Sequence, residues 1–169
     1  MRDDLFDLLR SFEPRGILLD TNLLVVYVVA LTDPRRVGVV KRTENFESSD
    51  GRFLLMLLPR YAKRYTTPAI LAEASNLLEP FFKSLPREAL AWLRSAIREE
   101  LSVTEEIYVP AREIAADEAL LRYGFTDLAV AALAGQRMVV LTADAPLSSL
   151  LDARQLPCVN YNQIRFEIS

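Results

Sequence analysis

The chain contains no histidine and one cysteine, Cys158. The first absence removes the Ser-His-Asp triad, Cys-His nucleophiles and most zinc chemistry, so acid–base or metal work must rest on Asp and Glu. The second excludes an internal disulfide, fits a reducing compartment and predicts a cytoplasmic protein, with Cys158 as a small buried core residue. No run of about 18 uncharged apolar residues exists, which argues against a spanning helix and a membrane partner. The opening MRDDLFDLLR is too acidic for a secretory signal. Only five glycines occur, with nine prolines, which suits elements with defined ends.

What is present is a substantial apolar fraction, 51%, in 169 residues, enough for one domain with a real core. The net charge of −3 speaks against a plain basic binder of nucleic acid. The charge is uneven, however: residues 33 to 64 hold eight Lys/Arg against four Asp/Glu. The least regular stretch, TDPRRVGVVKRTENFESSDG (32 to 51), reads as a charged loop or mobile insertion.

The spacing predicts a helix over 3 to 12, a short buried strand at Ile17 to Leu19, and a helix over 23 to 30 with Thr21 and Asn22 as cap types. FLLMLLP (53 to 59) is apolar all round, which places it either in the core or against another subunit. A second strand is predicted at Tyr65 to Thr67. Thr67 then caps a helix with Pro68 at its first position, whose stripe is Ile70, Ala74, Leu77, Leu78 and Phe81. Further helices are expected from Pro86, burying Leu90, Leu93, Ile97 and Leu101, over 110 to 122, from Thr126, and around 146 to 152. Strands are expected at Ser102 to Thr104, Met138 to Thr142 and Pro157 to Tyr161. Alternating strands and helices imply an α/β fold, a three-layer α/β/α arrangement around a mostly parallel sheet of four to five strands. Sites in such sheets lie beyond the carboxyl ends of strands.

Asp20 and Asp144 each follow a predicted strand. Glu73 borders the apolar stripe of its helix, and Asp127 opens a helix with an Ala-rich face. Each has an ordinary explanation as a cap, a first-turn charge or a solvated side chain. Together they place four carboxylates at one end of the sheet, where like charges repel unless a cation neutralises them. Oxygen ligands without His or Cys select Mg²⁺ or Mn²⁺.

Four segments, ILLDTNLLV, TTPAILAEASNLL, GFTDLAVAALA and VVLTAD, give the chain a resemblance to the PIN-domain nucleases, a family that includes the VapC-type toxins of bacterial toxin–antitoxin pairs. The resemblance implies a single PIN-like domain over 1–169, with an additional N-terminal helix in 1–15 and an insertion over about 32–64. It implies a metal-dependent ribonuclease whose four acids, at Asp20, Glu73, Asp127 and Asp144, hold Mg²⁺ or Mn²⁺, with Asp20 as the central ligand. Glu73 is left two roles, binding metal or orienting the attacking water. The family's nearby hydroxyls match Thr21 and Thr142; helical spacing adds Asn76, one turn beyond Glu73, as a group that orients it. The implied partners are RNA, an antitoxin protein and a second copy of the chain. Arg35, Arg36, Lys41 and Arg42 are the candidate RNA-guiding cations. The rival readings are a PIN-like module that binds RNA or protein without cleaving, and a haloacid-dehalogenase-like phosphatase. The latter needs a second Asp two residues after Asp20, where the sequence has Asn22.

Overall fold

Parallel strands buried on both faces need uninterrupted apolar runs, and three short ones set the frame. In a computed structural model of the chain, which describes residues 2–135 and 137–165, Ile17–Leu19 (β1), Val139–Thr142 (β4) and Cys158–Asn160 (β5) pair with Arg64–Thr66 (β2) and Thr104–Glu106 (β3) in one parallel sheet. The order is β3-β2-β1-β4-β5. Ile17 to Leu19 align with Val139 to Leu141.

The pleat sends alternate side chains to two separate cores. Ile17, Leu19, Val139, Leu141 and Val159 face one core. It is covered by helices Arg2–Ser11 (α1), Thr21–Thr32 (α2), Ser48–Leu57 (α3), the later turns of Pro68–Ser84 (α4), and Arg87–Ser102 (α5). Leu18, Val140 and Cys158 face the other, under Ala111–Ala115 (α6), Leu120–Leu133 (α7) and Ala145–Ala153 (α8). The short helix Tyr161–Ile164 (α9) closes the first core. The layers are therefore α/β/α. Among the described residues no helix is long and apolar enough to cross a membrane.

Several expectations change. The 32 to 51 stretch folds into two 3₁₀ turns, Pro34–Arg36 and Lys41–Thr43, and the start of α3. Thr43, fully buried, accepts the Gly38 N–H through its hydroxyl and so ties the segment together. In FLLMLLP, Leu54, Leu57 and Leu58 enter the core while Met56 points outward. Of the four apolar positions predicted to be buried in α5, only Leu93 is; Leu90 and Leu101 are exposed because α5 packs at the sheet edge beside β3. Trp92 is half exposed. Cys158 is buried, and burial pushes its thiol up to about 12, which leaves it inert.

Gly16 sets where β1 begins and hence where its carboxyl end delivers Asp20. It sits at φ +148°, and a Cβ there would collide with the Tyr65 ring. Gly16→Ala is expected to cost about 1–3 kcal/mol from the backbone alone, read as a lowered urea midpoint at unchanged slope.

Candidate active site

The strand order reverses between β1 and β4, so the crevice of this sheet lies where those two strands end. Asp20 follows β1 and is the N-cap of α2, displacing Thr21 and Asn22 from the capping role that the sequence suggests. One of its oxygens accepts the Leu23 N–H at 2.7 Å. The other accepts the Ala143 N–H at 2.9 Å and the Thr142 hydroxyl. Asp20 is 4% exposed. Burial raises its pKa, the three donors pull it back, and the Asp144 charge adds to the rise.

Thr142, fully buried, joins two of the acids. Its hydroxyl donates to Asp20 and accepts the Asp144 N–H at 2.9 Å. Asp144 caps α8 by accepting the Leu147 N–H at 2.8 Å. Thr67 caps α4, with Pro68 at its first position. Glu73, nearly two turns further on, is exposed and accepts the Thr21 hydroxyl at 3.0 Å through Oε2.

Asp127 completes the set. It follows an interruption in α7 at Gly124, where φ is +83° and ψ 175°, so the chain restarts its helix just before the acid. Asp127 is half-buried, and its pKa is pushed up to about 6. Burial is the largest cause, followed by the charges of Asp144, Glu73 and Asp20. One carboxyl thus feels all three others. The four acids line a single cleft of about 320 Å³, together with Thr21, Asn22 and the segment from Tyr123 to Thr126.

As a metal site, the cleft has the right donor chemistry: oxygen ligands only, and negative charge that burial makes costly. Among the described residues, no three Asp, Glu or Cys side chains are grouped tightly enough to hold an ion between them as they stand. Mg²⁺ commonly binds through one or two carboxylates and keeps several waters. The arrangement fits an ion held partly through water. Three protein donors use three of the roughly four acceptor sites of the Asp20 carboxylate, which leaves Oδ1 one site for an ion or its water.

Other expected site residues are placed differently. Asn76 is exposed and stands outside the cleft; the group that touches Glu73 is Thr21. Arg36, Lys41 and Arg42 line a second groove, about 630 Å³, with Val39, Leu77 and Phe81. One side is α4 from Leu77 to Ser84, about 6–16 Å along the helix axis from Glu73 at 1.5 Å per residue. Arg35 is not in that groove; its guanidinium is held by both oxygens of Asp33. Sequence reading also missed Asn22 and Phe125 as cleft residues. Gly124, two positions before an expected cap, was the available signal for the bend.

Comparison of the chain with family models, with characterised proteins and with solved structures finds no match.

Proposed function

We propose that the chain is a metal-dependent ribonuclease of PIN-like type, hydrolysing RNA phosphodiester bonds in the cleft formed by Asp20, Glu73, Asp127 and Asp144. The observation that carries this reading is the convergence of all four carboxylates on one cleft, where burial and then the charges of Asp144, Glu73 and Asp20 raise the pKa of Asp127. A scaffold gains nothing from concentrating such repulsion, whereas a divalent-ion site uses it. Asp20, Asp127 and Asp144 would hold Mg²⁺ or Mn²⁺, directly or through water, with Glu73 either binding the ion or orienting the attacking water. Bound there, the ion would acidify water and offset charge growing on the phosphate and the departing oxygen.

The protein's own part is positioning. Asp20 ties the end of β1 to the first turn of α2 and to the end of β4, so the cleft walls keep one geometry. Thr21 orients Glu73, and Thr142 couples Asp20 to the backbone of Asp144. Glu73, the most open of the four, is the residue suited to orient the attacking water. Asp20 itself does not suit the nucleophile role of a haloacid-dehalogenase-like phosphatase, being buried with both oxygens accepting.

The test is cleavage of RNA by purified protein with Mg²⁺, Mn²⁺ or EDTA, beside Asp144→Asn. Asn preserves the cap on Leu147, so folding should hold while cleavage falls about 100-fold or more. Cleavage that survives both EDTA and Asp144→Asn rules the proposal out. Binding of RNA without any cleavage by the wild type favours the inactive-module reading.

The groove of Arg36, Lys41 and Arg42 is the proposed backbone contact for RNA entering the cleft. Replacing these three by Ala should lower RNA affinity and reduce the salt slope by about 0.7 per lost phosphate contact on a single strand. Arg35→Ala, which removes a cation already paired with Asp33, should leave that slope unchanged. Equal slopes in the triple variant and the wild type would remove the groove from the path.

A further inference from the structure

Beside the carboxylate cleft lies a second, smaller cavity of about 160 Å³, lined by Pro68, Tyr108, Val109, Ile114 and Phe125 among others. It has the space of about five water molecules, enough for one flat ring system. Phe125 lines both cavities and is therefore the wall between them. Phe125 is 49% exposed and Tyr108 72% exposed. Neither makes one of the ring–ring contacts found among the described residues. Two exposed aromatic side chains on one cavity beside a polar cleft make a contiguous apolar patch of the kind that marks a binding site.

The backbone explains how Phe125 reaches this wall. Gly124 breaks α7 with φ +83°, yet a Cβ there would meet nothing within 4 Å. The glycine is therefore needed for the turn itself and not for close packing. The turn puts Phe125 on the cavity wall and Asp127 in the acid cleft, within three residues of each other.

From this juxtaposition we infer that Tyr108 and Phe125 form a stacking subsite for one nucleobase of the strand whose phosphate occupies the acid cleft. The inference rests on the nuclease reading for what lies in the cleft. The occupant follows from continuity: a ligand that places a phosphodiester against the carboxylates and a flat ring over Phe125 is a nucleic-acid strand. Apolar and aromatic walls accept any base face, so the subsite contributes affinity and strand register more than sequence discrimination.

Binding and cleavage are read separately to test it. Anisotropy of a labelled single-stranded oligoribonucleotide, with Ca²⁺ present to neutralise the carboxylates, gives affinity for wild type, Tyr108→Ala, Tyr108→Phe and Phe125→Leu. A parallel set of oligonucleotides carries one abasic sugar walked along the strand. Tyr108→Ala and Phe125→Leu should each weaken binding about tenfold, while Tyr108→Phe, which keeps the ring, stays within about twofold of wild type. One abasic position should reproduce the loss and add nothing further in Tyr108→Ala. Tyr108 is exposed, so its replacement leaves the core intact, and an unchanged melting temperature checks this. With Mn²⁺, Tyr108→Ala should raise KM with little change in kcat. Wild-type affinity in both ring-removing variants, or equal weakening at every abasic position, overturns the subsite even if RNA is cleaved. Ring-dependent binding at one position without cleavage by any form keeps the subsite and overturns the nuclease reading instead. No measurable oligonucleotide binding overturns the subsite.

Discussion

Asp127→Asn should abolish divalent-dependent cleavage and, in metal-free buffer above about pH 6, make the protein more stable. The activity loss is expected on the order of 100-fold or more, as for loss of an ion-binding or water-orienting group. The stability gain follows from linkage. The folded-state pKa of Asp127 is about 6, against an ordinary 3.8. Between those values the folded chain keeps a proton that the unfolded chain releases. Stability contributed by this group therefore falls as pH rises from about 4 to about 6, and the cost is fully present above that. At a half-buried group, solvent screening reduces the cost to about 1–2 kcal/mol. The neutral amide does not incur it. Melting curves of the metal-free proteins across pH 4 to 8 should coincide at the acid end and separate toward neutrality, with the variant higher. Mn²⁺ should reverse the order by stabilising the wild type through mass action. Curves that stay superimposed at every pH would show that Asp127 is not under the combined charge of Asp144, Glu73 and Asp20.

Asp20→Asn should be the opposite case, a variant that loses stability by about 1–3 kcal/mol. Each carboxylate oxygen accepts a backbone N–H, one from Leu23 and the other from Ala143. An asparagine amide has one oxygen and one NH₂, so either orientation sets the NH₂ against a buried N–H. Only one of the two donors loses its acceptor, at a cost of about 1–3 kcal/mol, and where that donor is the Leu23 N–H the lost cap is the same loss. Asp144→Asn is the control, because Asp144 meets Leu147 through a single oxygen and Asn caps as well as Asp. Urea unfolding should separate the two variants clearly. If Asp20→Asn unfolds at the wild-type midpoint, its oxygens do not join β1, α2 and β4 as described. As the implied central ligand, Asp20 would be the obvious position for a catalytic Asp→Asn variant with folding spared. The hydrogen bonds remove that expectation, since lost activity there would mix chemistry with unfolding. Asp127, Asp144 and Glu73 are the cleaner positions.

The same contrast runs through the rest of the molecule. The Thr67-Pro68 start of α4 and the capping of α8 by Asp144 were legible because each is settled within one turn of chain. The apolar strands at 17 to 19 and 139 to 142 were legible because a strand covered on both faces must be apolar throughout. Leu90 and Leu101 misled because helical periodicity marks an apolar stripe without saying whether a partner covers it. Arg35 looked like any other loop cation until Asp33 was found holding it.

By itself the sequence determined the chemistry available, with carboxylates and hydroxyls but no imidazole, and the local elements that carry them. Tertiary structure alone decided that β1 lies beside β4, which lets Thr142 donate to Asp20 across 122 positions of chain. It also decided that Phe125 divides the acid cleft from an aromatic cavity. The physical reason is range: caps and periodicity act over one or two turns, whereas strand order is chosen by burial of the whole sheet between two cores.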